Sequence, residues 1–390
     1  MAGLKPIYGG LGLPLNSMKI LCFIESLAVG GAEKTTVRLV DEWVAAGHEV
    51  HLALVRPILD FRPERPGVRL YSLDGERGSF LRSISAASQV AREVQPNVVV
   101  GHMPKGVLLA MVAQLAHPKA FLLGVEHSIP EQHYTGLKKV LVRLLMSRGY
   151  RRADGIVAVS QGAADNLVAW GVPAKKVHAL GNPIPVQALY RSAKAGTSLR
   201  QRPELQGVAA VGRLVPLKGF DVLIKAVALL RDQGRPVELV ILGEGPERAN
   251  LEALVGQLNL GNLVSLPGMV SDPQATVISA DLLACSSHYE GFGNVLVEAM
   301  AVGTGCVSTD CPTGPREIIR EADRLAKPNN PEDLARVLKL QLDRLEAMSP
   351  RERADLKKAL RAEAAHRFNA DQVAWRYLDA ALPDSLTVRS

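Results

Sequence analysis

Short apolar runs alternate along the chain with longer amphipathic stretches of helical spacing. The runs are continuous in apolar residues, which is typical of strands buried on both faces of a parallel sheet. We predict strands at 18–24, 49–55, 68–73, 97–101, 121–125, 155–160, 208–211, 237–242, 263–266, 282–286 and 305–308. Helices are predicted at 33–46, 220–233 and 247–258, followed by charged helical segments over 331–381. This alternation indicates an α/β protein whose parallel sheets are doubly wound, with helices on both faces.

The pattern also divides the chain into parts. It lapses near 180–207, and residues 191–206, rich in turn formers and basic residues, are predicted to be a linker. We therefore expect a first domain over 18–190 and a second over 207–365. Residues 1–17, rich in glycine, are expected to be a flexible extension, and residues 366–390 a C-terminal helical segment with a return to the first domain as an open alternative.

Cysteine usage and hydropathy exclude several classes of protein. The four cysteines form no C-x-x-C pair, so neither a disulfide framework nor a zinc ribbon is indicated, and a reducing cytoplasm is expected. The apolar run over 20–32 is interrupted by Glu25 and is too short to span a membrane.

The formal net charge of +7 lies entirely in the first half. Residues 1–190 contain 21 Lys and Arg against 14 Asp and Glu, whereas residues 191–390 contain 25 of each. A basic half favours an anionic partner, namely nucleic acid, a membrane surface or a phosphorylated substrate. Uneven solubilising charge is the alternative.

Two loops that follow predicted strands carry phosphate-binding chemistry. Gly30 and Gly31 stand between the first strand and a helix, where a slim backbone and free N–H groups suit a phosphate. Arg213 and Lys218 follow the first strand of the second half, and two cations on one loop suit a diphosphate. Each loop has an alternative interpretation when taken alone. The two glycines can form a purely structural turn, and the two cations can be solvated surface charges.

The segment over 286–303, S-S-H-Y-E-G-F-G-N-V-L-V-E-A-M-A-V-G, is the most informative. Glu290 follows a strand, and Asn294 is predicted to cap a helix beginning at Val295, which places Glu298 in its early turns. Carboxylates accept hydrogen bonds from sugar hydroxyls, and a helix N-terminus favours phosphate. The combination predicts a nucleotide-sugar site.

These pieces resemble the retaining glycosyltransferases of family 4, which have the GT-B architecture of two Rossmann-like domains facing across a cleft. The matching segments occur in family order: G-G-A-E at 30–33, E-H-S at 126–128, A-V-S-Q at 158–161, G-N-P-I at 181–184, V-G-R-L-V-P-L-K-G-F at 211–220, L-G-E-G-P at 242–246 and E-G-F-G-N-V-L-V-E-A-M-A-V-G at 290–303. The last is the family's paired-glutamate motif. Residues 308–318 further resemble members that build lipid-linked glycans.

The resemblance implies a role for each residue. Arg213 and Lys218 would hold the donor diphosphate, Glu298 the ribose, and Glu290 the donor sugar near its reacting carbon. The remaining contacts would come from the backbone of Gly30, Gly31, Gly293, Asn294 and Val295, and from His127. We expect a hexose or N-acetylhexosamine to pass from a UDP-sugar to a glycan by front-side attack, with no cofactor and no metal. A GDP-mannose-dependent mannosyltransferase, a nucleotide-sugar epimerase and a non-catalytic binding protein are the alternatives.

A basic helical stretch over 137–152 accounts for much of the excess charge. Its six cations have no acidic residue among them, and its apolar residues follow helical spacing. Such a helix suits an anionic membrane surface or a lipid diphosphate, and a core-packed helix with a solvated face is the equal alternative. Nucleic acid is disfavoured because aromatic residues are only 4% of the chain. We therefore expect a cytoplasmic protein held peripherally at the inner face of the membrane. The six cations are Lys138, Lys139, Arg143, Arg148, Arg151 and Arg152.

Overall fold

The computed structural model describes residues 17–28, 30–73, 80–128, 143 and 146–382. These residues fold into two compact units. The first unit takes the chain up to Val159, Ala163–Pro183 and the residues from Asp371 onward, and the second takes Ser160–Gly162 and Ile184–Ala370. The expected extension therefore lies, except for Ser17, outside the described residues.

The first unit is a parallel sheet with strand order β3-β2-β1-β4-β5-β6-β7. Its strands are β1 Lys19–Ile24, β2 Glu49–Leu54, β3 Arg69–Ser72, β4 Val98–His102, β5 Phe121–Glu126, β6 Gly155–Ala158 and β7 Val177–Ala179. Its helices are α1 Gly31–Ala45, α2 Phe80–Val94, α3 Met103–Ala116, α4, described over residues 146–152, and α5 Gln161–Ala169, whose first two residues belong to the second unit. The central strands are buried because helices cover the sheet, which explains their unbroken apolar composition, whereas the edge strands β3 and β7 are largely exposed.

The second unit repeats this architecture with strand order β10-β9-β8-β11-β12-β13. Its strands are β8 Gly207–Val211, β9 Glu238–Leu242, β10 Val264–Gly268, β11 Leu282–Cys285, β12 Gly305–Thr309 and β13 Leu325–Ala326. Its helices are α6 Val186–Ala195, α7 Phe220–Asp232, α8 Arg248–Gln257, α9 Gln274–Ser279, α10 Asn294–Val302, α11 Pro315–Ile318, α12 Pro331–Ala347 and α13 Pro350–Phe368. Every pair of strands is parallel in both sheets. The predicted α/β class with two doubly wound parallel sheets is confirmed.

The segment predicted as a linker over 191–206 begins inside a helix. Helix α6 packs against α9 and α10, and Val186 and Ala193 are buried. These two residues lie seven positions apart, which places them on one face of the helix. The basic residues of α6, which favour a linker in the sequence, lie off this face. The first unit accordingly gives way to the second after Pro183 and not after residue 190.

The last described helix, α14 (Ala370–Asp379), belongs to the first unit. Val373, Ala374, Tyr377 and Leu378 are buried in the core beneath α1 and the first sheet. The indole Nε1 of Trp43 donates a hydrogen bond of 2.8 Å to the backbone oxygen of Ala374. The chain thus completes the core of its first unit with residues from its far end.

Candidate functional site

Two loops at the carboxyl edge of the second sheet are joined by hydrogen bonds. The loop after β8 ends at Lys218, and the backbone oxygen of Lys218 accepts from Ser286 Oγ at 2.9 Å. The amide of His288 donates to the backbone oxygen of Leu217 at 2.9 Å. Gly219 has φ +57°, and a Cβ there would lie 2.3 Å from the backbone oxygen of Ser286. Only glycine therefore allows the two loops to approach so closely.

The approach of these loops pairs Lys218 with Glu290. Lys218 Nζ lies 2.5 Å from Glu290 Oε1, and Ser287 Oγ donates to the same oxygen at 2.6 Å. Cys285 Sγ lies 3.7 Å from it. All of these contacts are made by Oε1, so that Oε2 carries no hydrogen bond within the described part of the chain. Glu290 is 8% exposed, and this second oxygen is available to a ligand hydroxyl.

The charge state of Lys218 follows from its neighbours. Burial is the largest single influence and lowers the pKa of the Lys218 ammonium. The negative charge of Glu290, its hydrogen bond to the ammonium and the neighbouring Cys285 and Cys311 together outweigh burial, so the pKa is raised overall. Lys218 is therefore a cation at neutral pH. Arg213, on the same loop, is exposed and makes no side-chain hydrogen bond or ion pair among the described residues.

Helix α10 begins one residue earlier than predicted. Asn294 was expected to cap a helix starting at Val295, which is wrong: Asn294 is the first helical residue and Gly293 precedes it with φ +99°. Glycine takes this left-handed conformation without the steric cost that a side chain incurs. The first amides of α10 have no acceptor within the helix, and they form the positive end of its dipole.

Glu298 lies on α10 and is only 3% exposed. Gln274 Nε2 donates to Glu298 Oε2 at 3.4 Å, and Gln274 is itself buried. Glu298 is thus a buried carboxylate with a buried amide beside it, and the alternative of a solvated helix acid is excluded.

In the first unit, the segment after β5 is organised by a buried carboxylate. Glu126 Oε1 accepts hydrogen bonds from the backbone amides of His127 at 3.0 Å and Ser128 at 3.2 Å, and Tyr150 donates to Oε2 at 2.6 Å. Burial raises the pKa of Glu126 to about 7. Burial also lowers the pKa of His127 to about 3, so His127 is neutral at physiological pH. Gly30 precedes α1 in an extended conformation, and Gly31 is the first residue of that helix.

The basic helix is described only in part. Lys138, Lys139 and the predicted apolar face over 137–145 lie outside the described residues. Met146 and Tyr150 of α4 are buried in the core, so the described turns are packed against the unit. The four described cations, Arg143, Arg148, Arg151 and Arg152, are exposed. Among the described helices, none combines the length and the apolarity that crossing a membrane requires.

Several residues of these sites were not found from the sequence. Ser287 and Gln274 contact the two glutamates, Thr313 donates to the backbone oxygen of Glu290, and His102 contacts His127. His102 and Ser287 end or follow predicted strands, which is the signal that could have drawn attention to them. In the described ranges, no group of three or more His, Cys, Asp or Glu side chains is arranged to hold a metal ion.

Two family descriptions match the two parts of the chain. Residues 29–188 match "Glycosyltransferase Family 4" and residues 199–362 match "Glycosyl transferases group 1". The N-acetylgalactosamine-N,N'-diacetylbacillosaminyl-diphospho-undecaprenol 4-alpha-N-acetylgalactosaminyltransferase of Campylobacter jejuni is 29% identical over 77% of this chain and 83% of that protein. The putative colanic acid biosynthesis glycosyltransferase WcaL of Escherichia coli is 30% identical over 72% of this chain and 69% of that protein.

The fold is shared with solved glycosyltransferases. The crystal structure of HepE from Anabaena in complex with UDP superimposes with a TM-score of 0.78, at 21% identity, over 93% of this chain and 99% of that one. Fold, motifs and relatives agree, and the chain therefore belongs to the family 4 glycosyltransferases of the GT-B fold.

Proposed function

We propose that this glycosyltransferase transfers a hexose or an N-acetylhexosamine from a UDP-sugar to a lipid-linked glycan, with retention of anomeric configuration. The proposal is carried by the pairing of Lys218 with one oxygen of Glu290, whose other oxygen has no hydrogen-bond partner among the described residues. HepE binds UDP, and the name of the C. jejuni relative describes an undecaprenol diphosphate substrate. Both support a UDP donor and a lipid-linked acceptor.

Each residue has a defined task in the proposed reaction. Lys218 and Arg213 bind the donor diphosphate and stabilise the negative charge that grows on it as the sugar–phosphate bond breaks. The N-terminus of α10, at Gly293, Asn294 and Val295, adds its amides to the phosphate or the sugar. Glu298 binds the ribose hydroxyls, and the free Oε2 of Glu290 accepts from a hydroxyl of the donor sugar. Gly30 and Gly31 admit the diphosphate, and His127 contacts the sugar.

The proposed reaction needs no protein base. In a front-side attack the departing phosphate oxygen takes the proton from the acceptor hydroxyl, which forms the new glycosidic bond on the face that the diphosphate leaves. The sugar carbon exchanges one oxygen for another, and UDP leaves with the proton. Neither a metal ion nor a cofactor is part of this proposal.

A donor panel tests the proposal directly. We expect UDP-glucose or UDP-N-acetylglucosamine to raise the unfolding temperature, because a ligand at ~100 times its Kd stabilises by about 2.7 kcal/mol. Incubation with the best donor should release UDP slowly without acceptor, and the product formed with acceptor should keep the donor's anomeric configuration by NMR. Selective binding of GDP-mannose, isomerisation of the sugar or an inverted product would each contradict part of the proposal.

Substitution of Glu298 by alanine should weaken UDP binding about 100-fold. The loss corresponds to about 2.7 kcal/mol, which lies within the range of about 1.5–3 kcal/mol for removing one hydrogen bond to a charged group. Isothermal titration with UDP measures it. Gln341→Leu is a matched control, because Gln341 is a buried polar residue of the same unit that contacts the backbone of Asp323 instead. An unchanged Kd in Glu298→Ala would remove Glu298 from the site.

We also propose that the exposed cations of α4 bind an anionic membrane surface on its cytoplasmic side. Changing Arg148, Arg151 and Arg152 together to glutamine should lower binding to phosphatidylglycerol vesicles roughly 100-fold, at about 1 kcal/mol per cation. The matched control is a triple glutamine variant of Arg351, Lys357 and Lys358, three exposed cations of α13. Vesicle co-sedimentation at low and high salt measures both. Equal losses in the two triple variants would indicate nonspecific attraction.

A further inference from the structure

Two histidines of the first unit stand together at the carboxyl ends of neighbouring strands. His102 is the last residue of β4, and His127 directly follows β5. His102 Nδ1 lies 3.1 Å from His127 Nε2, and the rings are stacked with centroids 5.4 Å apart. The sequence pointed only to His127, because the pair is formed by the sheet and not by a motif.

The bond between the rings determines what His127 can offer to a ligand. Burial keeps the pKa of both rings low, so each carries a single proton. One ring must therefore donate and the other accept. In either direction the bond uses Nε2 of His127, so Nδ1 is the ring nitrogen of His127 that can bind a ligand. His127 Nδ1 is buried and has no hydrogen-bond partner among the described residues.

The surroundings hold both histidines in place. The backbone of His127 is fixed by Glu126, whose second oxygen is held by Tyr150. Helix α3, which begins directly after His102, packs closely on β1, where a Cβ on Gly106 would lie 2.5 Å from the backbone oxygen of Phe23. Met103, the residue after His102, has a φ of +61°. This left-handed backbone conformation is sterically unfavourable for a residue other than glycine. Such strain persists where the surrounding packing enforces it, and it is common at functional sites.

We propose that His102 is a positioning residue that fixes the ring orientation and tautomer of His127, so that His127 Nδ1 meets a hydroxyl of the reacting sugars. This inference rests on the proposed function, since it specifies how His127 acts there. A neutral imidazole suits a hydroxyl better than a phosphate, because a hydroxyl can both donate and accept. The unpartnered nitrogen of His127 is then satisfied when the sugar is bound.

The test compares variants of His102 with a matched control. His102→Phe keeps an aromatic ring but removes the nitrogen, and we expect kcat/KM for transfer to fall about tenfold while the Kd for UDP stays unchanged. His102→Asn keeps a polar group near the position of Nδ1 and should recover most of the activity. His51→Phe is the control, because His51 is a buried histidine of the same unit whose ring contacts Tyr71 and Glu49. Its kcat/KM should match the unmodified enzyme.

Two further measurements separate positioning from a structural role. Nitrogen NMR of labelled histidine should show one tautomer of His127 in the unmodified protein and a mixture in His102→Phe. Adding His102→Phe to His127→Ala should cause no further loss of kcat/KM, because a positioning residue acts only through its partner. An unchanged tautomer, additive losses, or equal activity of His102→Phe and the unmodified enzyme would each overturn the inference. Absence of transfer by the unmodified enzyme with every UDP-sugar would instead count against the proposed function, and the NMR measurement would still decide the role of His102.

Discussion

Lys218→Met should reduce turnover by about 100- to 1,000-fold. Methionine keeps the length of the side chain but removes the positive charge that would stabilise the departing diphosphate. Losses of this size are typical when one preorganised group for transition-state charge is removed. The effect should fall on kcat more than on the KM of the donor, because the charge on the diphosphate grows as the bond breaks. Steady-state release of UDP in the presence of acceptor measures it.

The variant also leaves Glu290 without its cation, and a control must separate this effect. Glu290 is nearly buried, and its Oε1 would keep only Ser287 and the weak Cys285 contact. A double variant, Lys218→Met with Glu290→Gln, should regain stability in denaturant without regaining activity. Lys225→Met removes an exposed lysine of α7 that pairs with Asp221, and it should behave like the unmodified enzyme. Full turnover in Lys218→Met would exclude Lys218 from the reaction.

Trp43→Ala should destabilise the first unit by about 3 to 5 kcal/mol. Trp43 is 1% exposed, lies in the core of the first unit and donates a hydrogen bond to α14 of the same unit. The loss has two sources: the cavity left by a large buried side chain, and the backbone oxygen of Ala374, which is left without its hydrogen-bond donor. Unfolding in urea, followed by hydrogen exchange of the α14 amides, measures it, and α14 should lose protection first.

Two comparisons refine this prediction. Trp43→Phe retains most of the apolar volume but removes the indole N–H. We expect it to lower the free energy of unfolding by about 1 kcal/mol more than the lost volume alone explains, and this excess measures the contribution of the hydrogen bond. Trp375→Ala truncates the partly exposed tryptophan of α14 itself, and we expect a distinctly smaller loss than for Trp43→Ala. Equal losses at Trp43 and Trp375 would show that burial at Trp43 does not dominate.

Most strands, though not β7 and β13, and the proximity of Lys218 and Glu290 followed from the sequence because their signals are local. Continuous apolar runs predicted the strands, and the order of Lys218, Glu290 and Glu298 after those strands predicted one carboxyl edge. The structure joins Lys218 to Glu290, whereas Arg213 makes no side-chain hydrogen bond or ion pair with either of them.

The remaining features depend on contacts between distant residues. The partnership of His102 with His127 requires β4 and β5 to be neighbours, which apolar runs do not specify. Gln274 reaches Glu298 through the packing of α9 on α10. The basic residues of α6 by themselves indicate a linker, because the apolar face of this helix has its partners in later helices. The composition of a local segment does not indicate which distant residues it will contact.

The placement of α14 determines the order in which the two units can finish folding during synthesis. A ribosome that has finished Pro183 must add roughly 190 residues before Val373 emerges, which takes about 10 to 40 s at ordinary rates of elongation. For that interval the nascent first unit lacks the helix that covers Trp43, and its apolar surface is exposed to chaperones and to neighbouring chains. The second unit ends at Ala370, directly before the rest of α14, so its chain is complete a few residues earlier. The half of the protein that is made first is therefore the half that matures last.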